Sequence, residues 1–230
     1  MKVVILAGGK GTRLGNDYKK IPKPFIKINK YSIIEKLIKL FNKHKYRNFI
    51  ICCDNRTKIA SKMIAKKLYK NNQIKLINTG VNSNTLLRIY KIKKLIGKED
   101  FFLVYGDGLA NINLIKIKKD HDHNKKDITM SCYPFVPDKG VINYNPSTRE
   151  HIFYEKKRIK NYWVNIGFFI INNKVLNLIN KKNLSFEKTL LNKFILKKKV
   201  NYFKFKGLWK CMDHQKDMKI LKSLIKQKKL

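Results

Sequence analysis

The chain has 230 residues, 43% of them hydrophobic, which suits one domain of ordinary size with a substantial core. Its 53 Lys and Arg against 15 Asp and Glu give a formal net charge of +38, a field that favours anionic partners. The basic residues are spread through nearly every segment rather than gathered in one tail, which argues against nucleic acid as the partner, and no apolar run approaches the ~18 residues of a membrane span.

Val3 to Leu6 is an apolar run that opens into Gly8-Gly9-Lys10-Gly11, followed by Thr12, Arg13 and Pro22-Lys23-Pro24. This reads as a buried strand ending in a phosphate-binding loop. Glycines at 8, 9 and 11 leave backbone N–H groups open to a polyphosphate and permit a tight turn. Arg13 supplies a planar fork for two phosphate oxygens and Lys23 a compact point charge, with the flanking prolines restricting where that charge can go. The Walker spacing is absent. A dinucleotide fingerprint fails as well, because Leu14 stands where its third glycine belongs.

Ser32 to His44 has helical apolar spacing, and Phe49 to Cys53 is a short apolar run. A helix is expected over Thr57 to Tyr69, a strand over Ile74 to Ile77, a helix over Thr85 to Ile96 and a strand over Phe101 to Tyr105. Alternation of this kind predicts an α/β fold with a largely parallel sheet, whose ligands sit at the carboxyl ends of the strands. Asp107, in Gly106-Asp107-Gly108, stands at such an end. A hairpin turn is the competing reading of that glycine pair, weakened by the helical pattern of Ile112 to His121. After Asp127 the expected strands are Ile128 to Tyr133, Gly140 to Asn143, His151 to Glu155 and Trp163 to Ile171. Short helices follow at Val175 to Ile179 and Phe186 to Leu196, then a strand at Asn201 to Phe205 and a basic amphipathic helix at His214 to Lys229. We therefore divide one domain, 1–230, into a nucleotide-binding half, 1–126, and a half, 127–230, that lays a small β-rich acceptor-binding extension over it.

The first loop resembles the LAGGxGTRL…PKP signature of the sugar-phosphate nucleotidylyltransferases. Later runs narrow this to the glucose-1-phosphate cytidylyltransferase branch: Phe49-Ile-Ile-Cys-Cys, Tyr105-Gly-Asp-Gly, Phe153-Tyr-Glu-Lys, Asn165-Ile-Gly-Phe-Phe and Gly207-Leu-Trp-Lys-Cys-Met-Asp. The resemblance covers nearly the whole chain. It implies a Rossmann-like nucleotidyltransferase fold, Mg²⁺ as cofactor, and transfer of CMP from CTP to a sugar 1-phosphate with release of pyrophosphate. It assigns Leu6, Ala7, Gly8, Gly9, Gly11, Thr12, Thr85, Arg88 and Gly106 to the nucleotide, and Arg13 and Lys23 to catalysis at the phosphates. It places Asp107 and Asp213 on the metal, and Gly140, Glu155, Lys156 and Asn165 at the acceptor. For Asp213 a helix N-cap is the bland alternative, and for Lys156 a surface lysine.

The chain departs from the branch at three points. Thr85-Leu86-Leu87-Arg88 replaces T-G-G-R near the base, Ile166 replaces a glycine, and about 20 residues are missing between the strand at 49–53 and Asn78-Thr79-Gly80. The competing readings are a transferase using another NTP or a non-glucose acceptor, and an inactive nucleotide-binding module. Cys52, Cys53, Cys132 and Cys211 show neither CxxC spacing nor a disulfide-rich pattern, and Cys52 and Cys53 in their strand-like run read as core-lining thiols in a reducing compartment. With no signal-peptide pattern, the expected location is cytoplasmic. The resemblance leaves a homo-oligomer open, and a partner nucleic acid is not expected.

Overall fold

The structure, a computed structural model, describes residues 1–8, 21–64, 66–182 and 184–230. The first half alternates as expected: β1 (Lys2–Leu6), β2 (Lys27–Ile28), β3 (Tyr31–Ser32), α1 (Ile33–Lys43), β4 (Asn48–Cys53), α2 (Thr57–Met63), α3 (Lys66–Lys70), β5 (Gln73–Asn78), α4 (Thr85–Ile96), β6 (Phe101–Tyr105), β7 (Gly108–Ala110) and α5 (Leu114–Asn124). The second half contributes β8 (Ile128–Pro134), β9 (Val141–Asn145), β10 (Glu150–Tyr154), β11 (Trp163–Ile171), a 3₁₀ segment at Asn173–Leu178, a π-helical turn at Phe186–Leu191, α6 (Asn192–Leu196), β12 (Val200–Lys204), β13 (Trp209–Cys211) and α7 (Gln215–Lys226).

Seven strands form one sheet in the order β12-β8-β11-β6-β1-β4-β5. β1 runs parallel to β4 and β6, β4 parallel to β5, and β12 parallel to β8, while β11 is antiparallel to both of its neighbours. The sheet is thus mixed and mostly parallel, as the α/β reading expected. Three second-half strands, β8, β11 and β12, extend this sheet rather than lying over it; the hairpin β9–β10 stands apart from it.

The apolar strands are continuous runs because both faces are covered. Val3 and Ile5 face a core closed by Phe25, Leu37 and Phe41, with Ile117 of α5 and Leu221 of α7. Val4 and Leu6 face the other core, built on Leu86, Ile89, Ile92 and Ile96 of α4 and on Phe186, Leu190 and Phe194. Ser32 starts α1 with a capping box, its side chain accepting from Glu35 N while Glu35 accepts from Ser32 N at 2.9 Å.

The helix expected over Thr57 to Tyr69 is two short helices. Ile64 between them is extended and buried, which seats its side chain in the core. Cys52, Cys53 and Cys132 are buried and Cys211 is partly exposed; all four are free thiols. Among the described residues, no helix is long and apolar enough to cross a membrane.

Candidate active site

β1 and β6 are neighbours running the same way, so the chain emerging from Leu6 and the chain emerging from Tyr105 leave the sheet side by side. Gly106 N donates to Leu6 O at 3.0 Å. A Cβ on Gly106 would stand 2.8 Å from that carbonyl and 3.1 Å from Pro24 Cγ, so glycine is what lets the two turns and the Pro22-Lys23-Pro24 segment meet. Lys23 begins a 3₁₀ turn, Lys23–Phe25, anchored by buried Pro24 and by Phe25, which is fully buried. Its ammonium is thereby delivered to the cleft on a rigid support.

Asp107 does not belong to a hairpin between β6 and β7. Instead β7 pairs with β13, matching Gly108 to Cys211 and Ala110 to Trp209, and Met212 N donates to Asp107 O at 2.7 Å. That small ladder brings the distant Asp213 beside Asp107. Lys23 Nζ lies 2.9 Å from Asp213 Oδ1 and 3.7 Å from Asp107 Oδ2. The carboxylates remain partly open, at 42% exposure for Asp107 and 36% for Asp213, whereas Lys23 is 14% exposed. Although its tip is open, Asp107 is walled by protein. That desolvation pushes its carboxyl above the ordinary value, Lys23 opposes it, and Asp213 adds to it.

Asp213 is not the helix cap. That place falls to His214, and Asp217 in the first turn of α7 accepts from Asp213 N at 3.0 Å and His214 N at 2.8 Å while pairing with Lys210 at 2.6 Å. Asp213 is left to face Lys23 and the Cys211 thiol, whose Sγ donates to Asp213 Oδ2 at 3.1 Å. Burial, with Asp213 beside it, pushes that thiol up to about 12. Asp217 was missed in the sequence because its partners are mostly backbone amides.

Two carboxylates converging on one cationic atom are a donor set that suits a hard divalent cation, provided phosphate oxygens and water complete the shell. Among the described residues no group of three or more His, Cys, Asp or Glu could hold a metal by itself.

Of the residues expected at the nucleotide, Gly8 packs under the Arg88 guanidinium, which a Cβ there would strike at 2.1 Å. Arg88 is buried and its Nη1 donates to Thr79 Oγ1 at 2.6 Å and Cys53 O at 3.2 Å. Burial pulls it below the ordinary arginine value. Thr85 Oγ1 donates to Glu187 Oε2 at 3.1 Å and accepts from Phe186 N at 2.7 Å. Leu86 is a core residue and Leu87 is half-buried in the first turn of α4. Leu6 and Ala7 are buried at the end of β1. Gly9, Gly11, Thr12 and Arg13 lie outside the described residues.

Of the residues expected at the acceptor, Asn165 sits at the irregularity of β11, its Oδ1 accepting from Gly167 N at 2.8 Å. Gly140, Glu155 and Lys156 gather at the base of the β9–β10 hairpin. A Cβ on Gly140 would stand 2.7 Å from Glu155 Oε2, and Lys156 Nζ lies 3.3 Å from Glu155 Oε1, with both side chains exposed.

Comparison with known proteins places the chain in a family. The chain is 27% identical over 247 residues to glucose-1-phosphate cytidylyltransferase of Salmonella typhimurium, covering 97% of this chain and 95% of that protein. It is 26% identical to mannose-1-phosphate guanyltransferase 2 of Candida glabrata, covering 94% of this chain and 62% of that protein. In fold it is similar to HddC from Yersinia pseudotuberculosis, with a TM-score of 0.75 and 19% identity over 97% of this chain and 99% of that one. It is also similar to UDP-glucose pyrophosphorylase complexed with UDP-glucose, with a TM-score of 0.75 and 16% identity over 99% and 98% of the two chains. The sequence profile for Nucleotidyl transferase matches residues 2–213, and the chain belongs to the nucleotidyl transferase family.

Proposed function

We propose that the protein transfers a nucleotidyl group, CMP from CTP, to a sugar 1-phosphate, releasing pyrophosphate. The observation that carries this reading is the convergence of Asp107 and Asp213 on Lys23 Nζ at the carboxyl ends of β1 and β6. The family supplies the reaction class. Cytidylyl specificity is supported by similarity to the Salmonella enzyme, while similarity to a guanyltransferase keeps another NTP as the second reading.

The acceptor phosphomonoester has a second pKa near ~6, so at neutral pH it is already a nucleophile and needs no protein base. The protein's work is alignment and charge neutralisation around the α-phosphorus during in-line attack. Lys23 serves the α-phosphate. Arg13 takes the leaving pyrophosphate, and backbone N–H groups of the loop at Gly8, Gly9, Gly11 and Thr12 take the remaining phosphate oxygens. Lys156 holds the acceptor phosphate, with Glu155 and Asn165 at sugar hydroxyls. Asp107 and Asp213 would hold a Mg²⁺ ion, which supplies Lewis-acid stabilisation of phosphate charge. The positive field of the chain raises the local concentration of both anionic substrates.

The test is thermal unfolding of the protein with Mg²⁺ and, in turn, CTP, UTP, dTTP, ATP and GTP. A selective upward shift with CTP supports the cytidylyl assignment. A selective shift with another nucleotide replaces that assignment and keeps the transfer chemistry, and no shift with any of them contradicts both.

A further inference from the structure

Glu187, in the first turn of the π-helical segment, lies between the nucleotide and acceptor sides. Its Oε1 accepts from the Tyr105 hydroxyl, and its Oε2 accepts from Thr85 Oγ1 at 3.1 Å and from Ser185 Oγ at 2.5 Å. In a chain with 53 basic residues, this carboxylate is satisfied by hydroxyls. A ring of short directional bonds orients groups, which a lone ammonium does less well. Burial works to raise the Glu187 carboxyl, but hydrogen bonds from Ser185, Tyr105 and Thr85 outweigh it and hold it below the ordinary value, so it is ionised at neutral pH.

Each partner leads somewhere useful. Thr85 opens α4, and the same stretch is tied down by Leu86 N donating to Leu184 O at 3.2 Å. Tyr105 is the residue before Gly106-Asp107, and its side chain packs against Gly167, whose N–H donates to Asn165 Oδ1 at 2.8 Å. Gly167, at φ +77°, lets the bulged β11 close onto Tyr105, since a Cβ there would stand 2.8 Å from Tyr105 Cβ. Hydrogen bonds therefore join Thr85, Glu187 and Tyr105, and the packing of Tyr105 on Gly167 carries the path on to the turn that Asn165 holds, from the first turn of α4 to the acceptor edge.

We propose that Glu187 is a positioning residue for both substrates, fixing Thr85 for the nucleotide and, through Tyr105, Asn165 for the acceptor. The inference rests on the transfer reading above. π-Helical turns are uncommon and recur at functional sites, which agrees with a turn whose acidic side chain is aimed inward at this junction.

The test uses the full chain with Mg²⁺, measuring the Kd of the nucleotide that the wild type binds best by calorimetry and the acceptor KM by pyrophosphate release. Glu187→Gln, which keeps volume and removes the charge, should weaken nucleotide binding and raise acceptor KM, each about tenfold. Tyr105→Phe should raise acceptor KM alone, and adding it to Glu187→Gln should raise that KM no further. Thr85→Val, which removes the hydroxyl at nearly constant volume, should weaken nucleotide binding, and adding it to Glu187→Gln should weaken it no further. A Glu187→Gln protein with a lower Tm and both constants unchanged, or with only one of them changed, overturns the proposal. Should that variant not fold, an unchanged acceptor KM in Tyr105→Phe overturns it. Absence of pyrophosphate release by the wild type overturns the transfer reading separately, and the nucleotide Kd of Glu187→Gln then still decides whether Glu187 sets the nucleotide side.

Discussion

The acidic cleft and the β9–β10 hairpin are held by different physics. Lys23, Asp107 and Asp213 sit on turns whose backbones are locked: Gly106 against Leu6, Met212 against Asp107, and Asp213 against Asp217. Behind them are strands buried on both faces. Gly140, Glu155 and Lys156 sit on a two-stranded hairpin outside the main sheet, where Ile142 and Phe153 are 69% and 63% exposed. An isolated two-stranded ribbon has little stability of its own. The charged cleft is thus mounted on the core, and the groups we propose for the acceptor are mounted where change costs little. This matches a family whose members share transfer chemistry and differ in substrate.

The sharpest way to break that contrast is at the cleft. Asp107→Asn removes the charge proposed to hold the metal at almost constant volume, and turnover should fall by about 10³-fold with the unfolding temperature nearly unchanged. Steady-state pyrophosphate release together with calorimetric unfolding checks both halves of this expectation. Asp217→Asn should act next most strongly. It weakens two backbone contacts and the Lys210 pair that hold the Asp213 turn, so kcat should drop about tenfold and stability by about 1–2 kcal/mol. A variant that lost stability but kept kcat would show that Asp213 is placed by something else.

On the hairpin the expectation inverts. Lys156→Gln should raise the acceptor KM about tenfold and leave the nucleotide KM and the unfolding temperature where they were, because its side chain is 65% exposed and, among the described residues, pairs with its neighbour Glu155. Equal effects on both substrates would place Lys156 elsewhere in the reaction. The smallest change should come from Ile142→Thr, expected to alter stability by under about 0.5 kcal/mol; a large loss in a denaturation curve would mean that the exposed face is covered.

Much of this was legible before the structure. β1, β4 and β6 are uninterrupted apolar runs, and glycine-flanked Asp107 at the end of such a run points to a strand-end site. What could not be read has physical reasons. β7 and β13 have three residues each, too few for any periodicity, yet their pairing is what brings Asp107 and Asp213 together. Glu187 is hidden because its neighbours look like one more solvated lysine-rich stretch, and its hydroxyl partners come from two remote segments. Leu86 reads as a change at the base site and is also a core side chain of α4.

The most direct test of the central claim is pyrophosphate release by the full chain with Mg²⁺, using the five nucleoside triphosphates against a panel of sugar 1-phosphates, run beside Asp107→Asn. The account predicts release with at least one pair, fastest with CTP, and its loss in the variant. Folded wild-type protein that releases none with any pair, or a variant that keeps the full rate, would contradict it.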